Sequence, residues 1–267
     1  MTAAMRMMEE NLKAVDGVMI VLDARAPRAS LNNKLNKLFV NKKVLYVLNK
    51  CDLVEVSDVK RTVSEFSKEG RETVAISAMD KRAVDLLYNK IFDLLKEKLE
   101  RNKLKGVFKP IRIMVVGIPN TGKSTIINAL SGGKKTITGD KAGVTKGKQW
   151  VRLRELELLD TPGTMPPAFE NQTLAKHLAY IGSMNDANID FNDLAYEFLG
   201  EMKEKYPNLI KSKYSIDDLN VETLDLFNAI CERRGFLRKG GEYDYERCAT
   251  AIIDDFRKGR TGKVILD

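Results

Sequence analysis

The run Gly117-Ile-Pro119-Asn120-Thr121-Gly122-Lys123-Ser124 satisfies GxxxxGK[ST] at every constrained position. Its chemistry is phosphate binding. Glycines let successive backbone N–H groups wrap a phosphate chain, and the start of a helix adds its own unpaired donors. Lys123 would reach the β- and γ-phosphates, the Ser124 hydroxyl would ligate Mg²⁺, and Pro119, Asn120, Thr121, Gly122 and Thr125 would line the loop. A second set follows in Leu158-Leu-Asp160-Thr-Pro-Gly163. There an apolar strand delivers Asp160 toward the metal through a water, and the Gly163 N–H faces the γ-phosphate. Alone, DTPG is only a turn; 37 residues after Lys123 and at a strand end, it completes a phosphate site. Between the two sets lies a Gly- and Lys-rich loop, Ser131 to Lys148, in which Thr145 is the candidate metal-ligating threonine of a switch, with Thr136 and Thr138 as rivals.

A third set reads a base. Asn49-Lys50-Cys51-Asp52 closes the apolar run VLYVL. The Asp52 carboxylate can accept from guanine N1–H and the exocyclic amine, a pair that adenine lacks. Asn49 ties the loop to its neighbours, the aliphatic stem of Lys50 covers the base plane, and Ser77-Ala78 stands where a backbone N–H could meet guanine O6. Most GTPases place the phosphate loop first and NKxD about a hundred residues later. Here the order is rotated, which a sheet tolerates if its old termini were adjacent and exposed.

The elements that must position these groups alternate. Gly17–Asp23, Lys43–Leu48, Thr73–Ile76, Ile111–Val116, Gln149–Arg154 and Leu156–Leu159 read as strands, the first three as buried and parallel. Helical patterns cover Leu31–Val40, Ser57–Glu69 and Ala83–Leu104, the last with Val84, Leu87, Ile91, Leu94, Leu95 and Leu99 on one face. The expected fold is α/β, a doubly wound, mostly parallel sheet over residues 1–166. After Pro166-Pro167 the strands stop, and Leu174–Ile181, Phe191–Tyr206, Val221–Arg234 and Tyr243–Gly259 predict an all-helical unit over 167–267.

Composition fits an ordinary globular chain, with 43% hydrophobic and 31% charged residues. Three scattered cysteines without metal-ligand spacing point to a reduced, cytoplasmic setting, and no apolar run is long enough for a membrane span. The net charge of +8 is unevenly distributed: +12 over residues 1–164, −7 over 165–232 and +3 over 233–267. Basic surface favours a polyanionic partner. Arg233, Arg234, Arg257, Lys258 and Arg260 form the best RNA-contact clusters, although cations at helix C-termini account for the same pattern. His177, the single histidine, reads as a packing or surface residue, and Trp150 as core.

With VLDARAPRAS (Val21–Ser30), NKCDL, SAMD, GIPNTGKST, AGVTKG, DTPGTMPP, NQTLAKHLAYIGS (Asn171–Ser183) and DFRKGRTGKVILD in place, the whole chain resembles the circularly permuted GTPases of bacterial ribosome assembly. The resemblance implies a cytoplasmic GTP/GDP switch that acts on the large-subunit precursor. It also implies rRNA contact by the helical unit, a monomer off the ribosome, and a K⁺ ion held by Asn120. Two departures stand out. Thr164 occupies the place of the water-positioning glutamine of Ras-like enzymes, and Met1-Thr2 falls at the tail of the family's Trp/Phe-Pro-Gly-His-Met segment, so slower hydrolysis is expected. An ATP-dependent P-loop enzyme is the first rival, opposed by Asn49 and Asp52. A nucleotide-gated RNA scaffold with negligible hydrolysis is the second.

Overall fold

The computed structural model describes residues 3–132, 149–153, 155–165 and 171–267. Among them six strands form one sheet in the order β3-β2-β1-β4-β6-β5. They are β1 (Gly17–Asp23), β2 (Lys43–Asn49), β3 (Thr73–Ala75), β4 (Ile111–Val116), β5 (Gln149–Leu153) and β6 (Leu156–Asp160). All neighbours run parallel except the edge strand β5, which pairs antiparallel with β6. β1 lies near the centre and is buried at all seven positions, as expected of a strand covered on both faces. Met19 and Val21 join one core layer, while Val18, Ile20 and Leu22 join the other.

Helices cover both faces: α1 (Ala3–Asn11), α2 (Asn33–Leu38), α3 (Val56–Lys68), α4 (Lys81–Leu94), α5 (Lys96–Leu104) and α6 (Lys123–Leu130). The expected single helix over Ala83–Leu104 is broken. Leu95 leaves helical geometry at φ −109°, ψ 13°, its side chain buried under the sheet, and α5 then carries no buried residue. Trp150 is not core: the second position of edge strand β5 turns outward, leaving it 39% exposed under the Arg112 guanidinium.

Beyond the sheet come α7 (Gln172–Tyr180), α8 (Phe191–Lys205), α9 (Pro207–Tyr214), α10 (Thr223–Arg233) and α11 (Tyr245–Arg257). Pro207 opens α9 at its first position, where a missing N–H costs nothing; the sequence pattern had ended at Tyr206. The expected boundary at 166/167 lies outside the described residues. The helical core built on Phe198, Ile230 and Phe256 also takes in Ala26, Ala29 and Ile118. It therefore packs directly on the loops at the carboxyl ends of β1 and β4, where α/β sheets bind ligands.

Candidate nucleotide site

β4 ends at Val116 and α6 starts at Lys123, so the loop Gly117–Gly122 turns at the carboxyl end of the sheet. Two of its glycines are required sterically. A Cβ on Gly117 would lie 2.4 Å from the Val21 carbonyl oxygen. One on Gly122, at φ +92°, would lie 2.2 Å from Asn49 Nδ2. Lys123 is buried, its Nζ donating to the carbonyls of Gly117 (3.2 Å) and Ile118 (2.7 Å). Burial lowers its pKa to about 8, partly offset by the Asp160 carboxylate. Thr121 is buried, and Thr125 stands half-buried on the first turn of α6.

The Ser124 hydroxyl donates to Asp160 Oδ2 at 3.2 Å. Asp160 Oδ1 is buried with no hydrogen-bond partner among the described residues. Burial raises the Asp160 pKa, against the pull of Lys123 and Ser124. A hydroxyl and a carboxylate oxygen without a donor are hard oxygen ligands, so this pair fits Mg²⁺. When bound, the ion would neutralise charge on the phosphates. The glycine of DTPG presses on the phosphate loop: a Cβ on Gly163 would lie 2.7 Å from the Pro119 nitrogen. Thr164 N–H donates to the Gly117 carbonyl at 3.1 Å. Thr145, like Thr136 and Thr138, lies outside the described residues.

The base-reading set meets this loop. Asn49 stands at the end of β2; its Nδ2 donates to the Thr121 carbonyl (2.9 Å), and its Oδ1 accepts from Ala78 N–H (3.1 Å). One side chain thus joins all three segments. Lys50, left-handed at φ +63°, extends its ammonium to the Asn120 carbonyl (2.7 Å) and Asp23 Oδ2 (2.8 Å). Asp52 is exposed on the one-turn helix Cys51–Leu53, and Ser77 is buried beside Ala78.

Sequence reasoning assigned no role to Asp23 or Arg25, although both lie in VLDARAPRAS. Asp23 is fully buried and grips Arg25 through two bonds of 2.9 and 2.8 Å while accepting from Lys50. Burial pushes its carboxyl up, but the charges and hydrogen bonds of Arg25 and Lys50 outweigh that and hold it far below the usual carboxylate range. Arg25 Nη1 donates to the carbonyls of Phe256 and Arg257 at the end of α11. The available signal was an acid two residues before an arginine at the end of a wholly apolar strand. The helical unit also touches the phosphate loop: Asn120 Nδ2 donates to the Gly182 carbonyl, and Ser183 Oγ to the Pro119 carbonyl at 2.7 Å.

The cations expected to meet RNA fare unequally. Arg257 is turned inward: it donates to the Ala179 and Tyr180 carbonyls, pairs with Asp186 and lies over Phe191. Its task is to cap the end of α7. Arg234 and Arg260 both pair with buried Asp255, and Lys258 pairs with Asp254. Arg233 is exposed, with no partner among the described residues.

A strand–loop–helix phosphate cradle, joined through one asparagine to the NKxD loop earlier in the chain, is the arrangement of a circularly permuted P-loop GTP-binding fold. Comparison with known proteins agrees. The family model described as 50S ribosome-binding GTPase matches residues 112–218. Ribosome biogenesis GTPase A of Priestia megaterium is 37% identical, covering 100% of this chain and 94% of that protein. The Bacillus licheniformis protein of the same name is 39% identical over 100% and 95%. Among solved structures, GNP-bound YlqF from T. maritima superposes with a TM-score of 0.67 at 26% identity, over 100% of this chain and 98% of that one. The chain belongs to the ribosome biogenesis GTPases, and it is a GTP-binding, GTP-hydrolysing enzyme.

Proposed function

We propose that this chain is a cytoplasmic GTP/GDP switch acting on the precursor of the large ribosomal subunit, with a GTPase unit at 1–166 and an rRNA-binding helical unit at 167–267, monomeric off the ribosome. The observation that carries it is the Asn49 bridge, which makes guanine recognition and phosphate binding one rigid site in a chain whose relatives, matched end to end, bear ribosome-assembly names.

In this reading Asp52 selects guanine against Ser77 and Ala78. The backbone of Pro119–Ser124, with Thr125 beside it, cradles the phosphates, and Ser124, Asp160 and Thr145 hold Mg²⁺. Catalysis is positioning and charge neutralisation by Lys123 and the Gly163 N–H. Thr164 cannot do a glutamine's work, so added charge comes from K⁺. An amide ligates a cation through its oxygen, so Asn120 Oδ1 is the atom that would take the ion. Turnover is then faster in KCl than in NaCl at equal ionic strength; identical rates remove K⁺ from the mechanism. Of the helical-unit cations, Arg233, Arg234, Lys258 and Arg260 remain for rRNA, and Arg257 is reassigned to packing.

The deciding experiment is cosedimentation with mature and immature large subunits in GTP, GDP and a non-hydrolysable analogue. Tighter binding to the immature particle in the GTP form supports the switch; equal binding in all states rejects it.

A further inference from the structure

α5 and the connection to β4 bury almost nothing. Residues 103–109, Lys-Leu-Lys-Gly-Val-Phe-Lys, are exposed without interruption, Leu104 at 90% and Phe108 at 87%. Leu104, Val107 and Phe108 are exposed within five residues of one another, and contiguous exposed apolar surface marks a contact site where a single exposed side chain does not. Residues 96–109 carry six Lys and Arg against two Glu, a net +4. Among the described residues only Lys98 of those six is paired, with Asp16. Gly106, at φ +62°, reverses the chain, so that Leu104 and Lys105 stand on one side of the turn and Phe108 and Lys109 on the other. Cations alternating with an exposed ring are the components of a single-strand nucleic-acid platform: charge tracks the phosphates, and the ring stacks on a base.

The position sets what such a platform can do. It precedes Ile111, the first residue of β4, while the phosphate loop follows Val116, the last. Six residues of strand, about 20 Å, separate the two. We propose that residues 96–109, centred on Phe108 with Lys103, Lys105 and Lys109, form a second RNA-contact surface that takes unpaired nucleotides and works independently of the bound nucleotide. It rests on the ribosome-assembly reading and places a contact on the end of the GTPase unit away from the switch. A second copy of this chain docking through the same face does not fit, because it would bring the same positive charge. An acidic peptide matches the charge but offers no base to stack on Phe108.

The test uses the full chain and a fluorescein-labelled oligouridylate of about twelve nucleotides, followed by anisotropy over a salt series in GDP and in a non-hydrolysable GTP analogue. Phe108→Ala should weaken binding about tenfold with an unchanged salt slope, and Phe108→Tyr should bind as the parent. Replacing Lys103, Lys105 and Lys109 by Ala should lower the log–log salt slope by roughly 2. All effects should be equal in the two nucleotide states, with GTP affinity and melting temperature unchanged. The proposal falls if the parent does not bind the oligonucleotide, if both variants bind like the parent, if the losses appear in one nucleotide state alone, or if polyglutamate competes as well as RNA. Cosedimentation separates the two readings. A parent that binds subunits while these variants lose nothing rejects the surface alone; RNA binding through Phe108 by a chain that ignores subunits rejects the assembly role alone.

Discussion

Asn49 reaches two ways, to Thr121 of the phosphate loop and to Ala78 of the base loop, and Gly122 must lack a side chain because Asn49 occupies that space. Gly122→Ala should therefore abolish GTP binding without unfolding the sheet; equilibrium dialysis beside a circular-dichroism spectrum checks both parts. Asp52 is different, being exposed on its one-turn helix. Asp52→Asn should weaken GTP binding roughly ten- to a hundredfold, about 1.5–3 kcal/mol for a lost charge-assisted pair, and should gain affinity for xanthine nucleotides. Parental GTP affinity in that variant would overturn the base-site assignment. Asp23→Asn acts inside the protein. It leaves Arg25 buried with half of its compensation gone, and breaking such a pair costs about 3–5 kcal/mol. Urea denaturation should read that loss even in the absence of nucleotide.

Between elements, α7 and α8 are joined by a buried charge. His177 is 1% exposed, with Nε2 3.0 Å from Glu201 of α8 and Nδ1 3.3 Å from Asp267. Burial lowers its pKa, but the hydrogen bonds and charges of Asp267 and Glu201 prevail and raise it from 6.5 to about 9. A raised folded-state pKa stabilises in full below the unfolded value and is lost as pH rises through the folded one. Stability should thus fall between about pH 6.5 and 9, by at most roughly 3 kcal/mol. His177→Gln should flatten that stretch of the profile in thermal melts; an unchanged slope would place the titrating group elsewhere. Arg257 links elements too. It caps α7 and lies within 3.2 Å of where a Cβ on Gly182 would stand, and the Gly182 carbonyl receives Asn120. Arg257→Ala should lower GTP affinity severalfold, an effect that a residue acting only on RNA would not have.

For the molecule as a whole, residues 264–267 stitch the helical unit to the nucleotide-binding loops. Val264 N–H donates to the Leu53 carbonyl just after NKCD, and Leu266 N–H to Arg25. The Asp267 carboxylate accepts from the N–H groups of Arg28 and Ala29 and also faces His177. Asn32 in turn donates to the Thr164 carbonyl beside DTPG. Base loop, the chain beside DTPG and the helical core thus share one hydrogen-bonded seam. With the two units joined this way, calorimetry should record one unfolding transition that GTP raises as a whole, by about 2.7 kcal/mol at a hundredfold excess over Kd. Two transitions, with only one moved by GTP, would mean that the seam does not couple them.

Local chemistry sufficed for much of this protein. The phosphate loop, the NKCD run and their reversed order in the chain were legible because each is a contiguous run of constrained residue types at a strand end. The strands were legible because a buried parallel strand is apolar at every position, as β1 is. Other features were not local. The parallel register sets Asp23 opposite Asn49, and only that pairing puts Lys50 beside an acid 27 residues earlier. Arg25 finds its carbonyls 231 and 232 residues away. Charge runs read alike whether they end in solvent or in an internal cap, so Arg257 looked the same as Arg233 until packing separated them. The break at Leu95 follows the same rule. A continuous apolar stripe cannot say where a helix runs off the edge of its sheet, because what ends the burial is the sheet's extent and not the helix's own sequence.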